Sequence, residues 1–134
     1  MERKTFYFIS VLLTIIFASC SDNICSTKMN QYNNENFIFD LKANDENNFC
    51  KGYNLAKIYN SKTFSIYGQE ISGFETFESE LNKYAYSLKK ISSSVTTLGQ
   101  FDKIFGENYF VLEKFREELG KSYADSLVTG VIFH

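Results

Sequence analysis

The sequence contains no tryptophan and no proline, and its single histidine, His134, is the last residue. A catalytic triad and a histidine-based zinc site both need a positioned imidazole, so this composition argues against both. The seven glycines are scattered singly, which argues against a glycine-rich phosphate-binding loop. We therefore expect no catalytic residue, no metal and no cofactor.

Clustered positive charge is also missing. Arg3 and Arg116 are the only arginines, the lysines are spread along the chain, and the formal net charge is −2. A surface that binds nucleic acid needs a basic patch or stripe, so we predict no nucleic-acid partner.

Carboxylates are the one set of side chains that could supply an acid and a base for catalysis. The candidates are Glu75, Glu78, Glu113, Glu117 and Glu118. Their positions fit the solvated faces of helices, where charge is needed for solubility. An enzyme with paired carboxylates is therefore the weaker alternative, and we predict that the chain is not an enzyme.

The most informative stretch is Phe6–Cys20, FYFISVLLTIIFASC, an apolar run that follows two basic residues. It is too short to span a bilayer comfortably as a helix. Ala18 and Ser19 are small residues of the kind that a signal peptidase accepts before its cleavage site. The stretch therefore predicts a signal peptide over residues 1–19, cleaved before Cys20.

In its basic start, its apolar segment and the small residues before Cys20, the chain resembles the bacterial lipoproteins. Phe17 departs from the pattern, because that family usually has leucine at this position. The resemblance implies that Cys20 is acylated, with chains such as palmitate, and that these chains anchor the mature protein to a membrane. Ser21 stands where enteric-type lipoproteins retained in the inner membrane have aspartate, which implies the outer membrane or the cell surface.

The composition, rich in asparagine and lysine, is similar to that of small spirochaetal surface lipoproteins. This resemblance implies a binding module that contacts host proteins or neighbouring envelope proteins. The alternative is a lipoprotein that faces the periplasm and serves envelope structure or assembly.

Residues 20–36 are polar and rich in asparagine, which predicts a flexible tether behind the acylated cysteine. Residues 37–134 are long enough for one small domain with a single core. Cys25 and Cys50 remain as a candidate disulfide, whose loop would stabilise the fold by about 3 kcal/mol. Two free thiols are an equally weighted alternative, since two cysteines give no diagnostic spacing.

The first half of the domain has mixed patterns. We predict a helix that ends near Ile58 and a short extended segment over 63–67. Tyr53 and Leu55 also fit strand alternation, so a β-hairpin over 53–67 stays open. The predicted fold is therefore mainly α, with an α+β fold as the alternative.

The second half has stronger helical signals. Ser72 and Glu75 form a capping box, and the amphipathic pattern that follows predicts a single helix from Ser72 to about Ile91. After an apolar turn that Gly106 interrupts, a second helix is predicted over 107–119.

The carboxyl-terminal end of this helix is also marked in the sequence. Gly120 is expected to form its left-handed cap. A last helix is predicted over 122–128, with Tyr123 and Leu127 facing the core.

Two aromatic residues do not fit the apolar stripes of these helices. Tyr86 lies about 200° around its predicted helix from Tyr84, and Phe110 is displaced similarly from Leu112, at about 100° per residue. Either the first half of the domain covers them as a second packing layer, or they form a partner-binding surface.

Overall fold

The computed structural model describes residues 24–35, 42–67, 73–91 and 98–132. Within these ranges the chain is mainly helical, as predicted, and contains a small two-stranded parallel sheet. The elements in chain order are α1 (24–35), α2 (Glu46–Ile58), β1 (Thr63–Tyr67), α3 (Phe74–Asn82), β2 (Ser87–Ile91), α4 (Leu98–Leu119) and α5 (Lys121–Ile132).

The helix α1 corrects the expectation of a flexible tether over 20–36. Cys25, Met29 and Tyr32 recur at helical spacing and pack against the core, and Cys25 and Tyr32 are buried. The segment is polar on average, but one apolar stripe is enough to order a helix when a core is available to cover it. The average composition of the segment does not reveal this stripe, because it ignores the spacing of the apolar residues.

The helix α2 confirms the helix predicted to end near Ile58. Its first turn is capped by Asp45, whose side chain accepts hydrogen bonds from the backbone N–H groups of Asn47 at 3.0 Å and Asn48 at 3.3 Å. This cap satisfies amides that have no partner within the helix. The hairpin over 53–67, which was the alternative, does not form.

The strand β1 confirms the extended segment over 63–67, but its partner lies much later in the chain. Thr63 pairs with Ser87 in a parallel register, and the pairing continues through the five residues of each strand. The helix α3 lies in the connection between the two strands, which makes a βαβ unit.

The single helix predicted from Ser72 to about Ile91 is wrong. The helix α3 ends at Asn82, Ala85 in the following turn has a φ of 62°, and β2 then runs beside β1. Pairing with β1 and burial of Leu88 outweigh the local helical period, because they are tertiary interactions that the period does not report.

The start of α3 also differs from the prediction. The N-cap position is occupied by Gly73, with a φ of 82° and no side-chain cap. Ser72, the predicted cap, lies outside the described residues. The capping-box pattern therefore located the beginning of the helix to within about two residues.

The helix α4 runs without interruption through Gly106, where the sequence predicts a break. Gly106 and Gly52 lie where α4 crosses α2. A Cβ atom on Gly52 would lie 1.8 Å from the carbonyl oxygen of Lys103, and one on Gly106 would lie 2.0 Å from that of Phe49. The glycines weaken each helix locally but let the two backbones touch.

The helix α5 follows α4 directly and is longer at both ends than predicted. Gly120 has a φ of 86° between the two helices, which confirms the predicted left-handed cap. Ala124 and Val128 are buried, whereas Tyr123 is 45% exposed and Leu127 is half-buried against the core. The prediction that Tyr123 faces inward is therefore wrong, because a short apolar pattern is compatible with two helical phases.

The core is centred on α4, which packs against α1, α2, β1 and α5. Its largest fully buried apolar side chains are Tyr86, Phe49, Phe115, Leu81, Leu112, Val111 and Val128. None of the helices in the described ranges combines the length and the apolar character needed to cross a bilayer.

A buried amide attaches the sheet to α4. The side chain of Asn108 accepts a hydrogen bond from the Ser65 N–H at 2.8 Å and donates one to the Ser65 carbonyl oxygen, also at 2.8 Å. Asn108 is 1% exposed and Ser65 8%, so these backbone groups are satisfied away from water. The amide thus takes the place of a neighbouring strand at one edge of β1.

Candidate functional site

The predicted acylation site, Cys20, lies outside the described residues. In the sequence only three residues separate it from Ile24, the first residue of α1. Along the chain, the predicted acyl acceptor is therefore much closer to the first described helix than a tether over 20–36 would have placed it.

The structure joins the other two cysteines. Cys25 and Cys50 form a disulfide with their Cα atoms 5.7 Å apart, and the bond connects α1 to α2. Of the two alternatives, the structure therefore has the bridge and not two free thiols. A closed loop of this length is worth about 3 kcal/mol through the entropy that it removes from the unfolded chain.

Tyr86 does not form the partner-binding surface that was one of its two interpretations. It is 1% exposed, its ring centroid lies 4.8 Å from that of Phe115, and the Lys62 ammonium lies 4.9 Å from its centroid. The helical wheel placed Tyr86 outward because it assumed a helix where the chain enters β2. Burial raises the pKa of the Tyr86 phenol, and the nearby Glu118 carboxylate adds to this increase.

Phe110 is also covered. It is half-buried, and its ring meets Tyr53 of α2 edge to face with a centroid distance of 5.6 Å. The helical wheel correctly predicted that Phe110 points away from the apolar stripe that contains Leu112, but α2 packs over that face of α4. The second packing layer, the other interpretation, is therefore what covers Phe110, whereas Tyr86 belongs to the main core.

Glu113, one of the glutamates assigned to solvated helix faces, is half-buried and contacts two other helices. Its carboxylate accepts a hydrogen bond from the Tyr53 hydroxyl at 2.8 Å and pairs with the Lys28 ammonium at 2.7 Å. Burial and, secondly, the hydrogen bond to this carboxylate raise the pKa of Tyr53. These contacts hold α1, α2 and α4 together, so the role that they give Glu113 is structural.

Arg116 makes a second connection between helices. Its guanidinium donates to Glu35 of α1 at 2.9 Å and to Asp125 of α5 at 2.6 Å. Burial lowers the pKa of Arg116, but the bonds to the two carboxylates outweigh this effect and the net change is upward. The arginine therefore stays charged and holds α1 and α5 against α4.

A cleft of about 760 Å³ lies between the amino-terminal ends of α2 and α4, and we call it the α2–α4 cleft. The rings of Phe101 and Phe105, with centroids 6.4 Å apart, contribute its aromatic surface. Lys42, Glu46 and Asn47 contribute exposed polar groups. An aromatic wall beside groups of both charges suits a small amphipathic group, such as a side chain of a partner protein.

Asp102 belongs to the cleft but serves the fold. It is 4% exposed, and its two carboxylate oxygens accept hydrogen bonds from the backbone N–H groups of Asn44 and Asp45, each at 3.1 Å. Burial raises the pKa of Tyr32, and the charge of Asp102 adds a smaller contribution. Asp102 thus fixes the segment that leads into α2. Within the described ranges, no three cysteine, histidine or carboxylate side chains are grouped as metal ligands.

Another exposed feature of the described residues is an apolar patch at the carboxyl-terminal end of α2. Leu55, Ile58 and Tyr59 are 36%, 75% and 78% exposed, and we call these three residues the α2 apolar patch. Lys51 and Lys57 are exposed on the same helix, which has no acidic residue beyond its first position. Contiguous exposed apolar residues are typical of contact surfaces.

Sequence reasoning missed both surfaces. It treated Leu55 as a candidate strand position, although a helical wheel of α2 places Ile58 on the side opposite Phe49 and Ala56, which are buried. The cleft had no comparable signal, because its walls come from two helices that are distant in the sequence. The chain matches no protein-family model, no curated protein and no solved structure.

Proposed function

We propose that this chain is an exported lipoprotein of the bacterial envelope, held in the membrane by acyl chains on Cys20, and that its domain is a binding module. The observation that carries the proposal is the disulfide directly behind the acyl acceptor. Disulfides persist in oxidising compartments such as the periplasm and the cell surface and are rare in the cytosol. A bridged pair five and thirty residues after Cys20 agrees with the export that the leader predicts.

The binding role is supported by the α2–α4 cleft. Phe101 offers aromatic area while Lys42 and Asn47 offer polar contacts at the edge, a combination that favours recognition of a protein side chain. For a surface lipoprotein, the partner would be a host protein or a neighbouring envelope protein. The second candidate, a periplasm-facing assembly lipoprotein, would use the same cleft on an envelope component.

Acylation is tested by metabolic labelling of cells with an alkyne analogue of palmitate. We expect label on the wild-type chain and none on Cys20→Ser. Cys25→Ser is the matched control, because it removes a nearby cysteine but keeps Cys20 and the small residues before it, and it should be labelled. Label that persists on Cys20→Ser would refute the anchor.

Protease treatment of intact cells separates the two locations. Digestion of the domain while a periplasmic protein is spared would support the surface location. Protection on intact cells, followed by digestion after lysis, would instead support the periplasmic candidate.

The binding role is tested with Phe101→Lys in the cleft and Thr76→Lys on the exposed surface of α3. Both add the same charge, so a non-specific electrostatic effect would be equal. We expect Phe101→Lys alone to lose binding to immobilised host and envelope proteins, in a chain whose circular dichroism is unchanged. Equal binding by both variants would exclude the cleft.

A further inference from the structure

We infer that the α2 apolar patch, together with Ile24, rests on the surface of the anionic phospholipid bilayer into which the acyl chains of Cys20 insert. This inference relies on the proposed lipid anchor and names the lipid surface as a second contact of the domain. It assigns the patch a different partner from that of the α2–α4 cleft.

The distribution of exposed apolar residues points to this surface. In the described part of the chain, five large apolar side chains are exposed, and four of them lie on α1 and α2 or directly after α2. They are Ile24, Leu55, Ile58 and Tyr59, and the fifth is Tyr123 on α5. The helices α1 and α2 are also the two that the Cys25–Cys50 disulfide joins, and α1 is the first helix after the acyl acceptor.

The length of chain between Cys20 and the patch limits how far the patch can lie from the proposed anchor. The four peptide units from Cys20 to Ile24 span at most about 14 Å when fully extended. The disulfide then brings Cys25 to within 5.7 Å of Cys50, measured between Cα atoms. Ile58 lies eight residues further along α2, about 12 Å at the rise of an α-helix. The patch therefore stays within a few tens of ångströms of the anchor.

The chemistry of the patch fits the interface between headgroups and acyl chains. Tyr59 can place its ring at the level of the headgroups, and Ile58 can enter the acyl boundary. Lys51 and Lys57 have long apolar stems and carry their charge at the end, so they can lie against apolar surface while they pair with lipid phosphates. With no carboxylate on α2 beyond Glu46, an anionic surface meets no repulsion from the rest of this helix.

An acidic protein could also pair with Lys51 and Lys57, but the proposed lipid anchor makes the bilayer the favoured partner of the patch. A bilayer attached through Cys20 is present at high effective concentration, so even a weak contact is occupied. The α2–α4 cleft lies at the opposite end of α2, roughly 15 Å away along the helix axis. Contact of the patch with lipid therefore leaves the cleft free for its own partner.

The absence of tryptophan makes a direct test available, because one substitution introduces a unique fluorophore. The full acylated chain carrying Tyr59→Trp is reconstituted into vesicles of phosphatidylglycerol and phosphatidylcholine, with and without brominated acyl chains. Tyr123→Trp is the matched control, also at an exposed tyrosine but on α5. We expect brominated lipid to quench Tyr59→Trp at least about twice as strongly as Tyr123→Trp, with a blue-shifted emission for Tyr59→Trp only.

Mass spectrometry of the same samples separates the two proposals. If the chain carries no acyl group, the proposed lipid anchor fails. If the chain is acylated but the two tryptophans are quenched equally, only the inference about the patch is overturned. Equal quenching of Tyr59→Trp in vesicles of phosphatidylcholine alone would overturn the role of anionic lipid.

A crosslinking experiment tests whether a protein covers the patch instead of lipid. p-Benzoylphenylalanine in place of Tyr59 crosslinks on irradiation to whatever covers the patch in intact cells. A crosslink to lipid supports the inference, whereas a single crosslinked protein would overturn it and assign the patch to that protein.

Discussion

The crossing of α2 and α4 leads to the sharpest prediction about stability. Gly52→Ala or Gly106→Ala would place a methyl group 1.8 or 2.0 Å from a backbone carbonyl oxygen of the other helix. Neither oxygen can rotate away, so the two helices must separate by about 1 Å or more to reach an ordinary contact distance. Such a gap forfeits about a quarter to a half of the dispersion energy of the contacts along the crossing.

The expected magnitude follows from two opposing effects. Overpacking of a well-packed interior costs about 1–3 kcal/mol, and an obstacle made of backbone places this case at the upper end. Alanine returns about 1 kcal/mol through its better helix propensity. We therefore expect each variant to lower the free energy of unfolding by about 2 kcal/mol, which is a fall in Tm on the order of 10 °C for a domain of this size.

The assay is urea unfolding of the oxidised protein followed by far-UV circular dichroism. Gly99→Ala is the matched control, because this glycine is also in α4 but its added methyl would meet only the Asn48 side chain, at 2.8 Å from Nδ2. That side chain is half-buried, but its amide end can rotate away from the methyl group, so the free energy of unfolding should change by less than about 0.5 kcal/mol. Gly106→Ala and Gly99→Ala of equal stability would refute the backbone contact between α2 and α4.

Three further predictions concern buried polar groups. Asn108→Ala leaves the N–H and C=O of Ser65 buried without partners, so the free energy of unfolding should fall by about 3 kcal/mol. Asn54→Ala, at an exposed position, should cause no loss. Similar values for the two variants would contradict the role of the Asn108 amide. Arg116→Met leaves two half-buried carboxylates, Glu35 and Asp125, unpaired and should lower the free energy of unfolding by about 2 kcal/mol. Lys83→Met breaks an exposed pair and should leave the stability almost unchanged. A larger loss for Lys83→Met than for Arg116→Met would contradict the structural role of Arg116. Burial raises the pKa of four tyrosines. Above about pH 10 the unfolded chain therefore releases protons that the folded protein keeps. The contribution of these tyrosines to the free energy of unfolding is complete below this pH and is lost as the pH rises further. Absorbance at 295 nm should therefore show these phenols ionising only as circular dichroism is lost, and ionisation of every tyrosine in the folded protein would disprove this. The four are Tyr32, Tyr53, Tyr86 and Tyr109.

Local signals predicted several elements correctly. The helix that ends near Ile58, the extended segment over 63–67 and the cap at Gly120 were all readable, because propensity, alternation and the need for a positive φ act within a few residues. The mainly helical class followed from them.

Two of the wrong predictions share one cause. The helical period through Tyr84 and Leu88 is real, but a strand partner 24 residues earlier changes the conformation of that stretch. Gly106 was interpreted as a break, although it serves the contact with α2. In both cases a residue's local preference was overruled by a neighbour that only the folded chain supplies.

The candidate surfaces show the same division. Acylation of Cys20 stays a prediction from the leader, which depends on composition and residue order over about twenty positions. The aromatic residues Tyr86 and Phe110, predicted in one interpretation to bind a partner, are packed in the fold. The α2–α4 cleft and the α2 apolar patch became visible only in the structure.

The sequence by itself therefore determined the helical class and several element boundaries, and it is the whole basis of the predicted leader, because these depend on the order of residues along the chain. The tertiary structure alone decided that Cys25 is bonded to Cys50, that β1 pairs with β2, and which aromatic side chains are buried. These outcomes depend on which segments meet in space. A pairing between distant residues leaves little trace in a single sequence, since its free energy depends on both partners and on the packing around them.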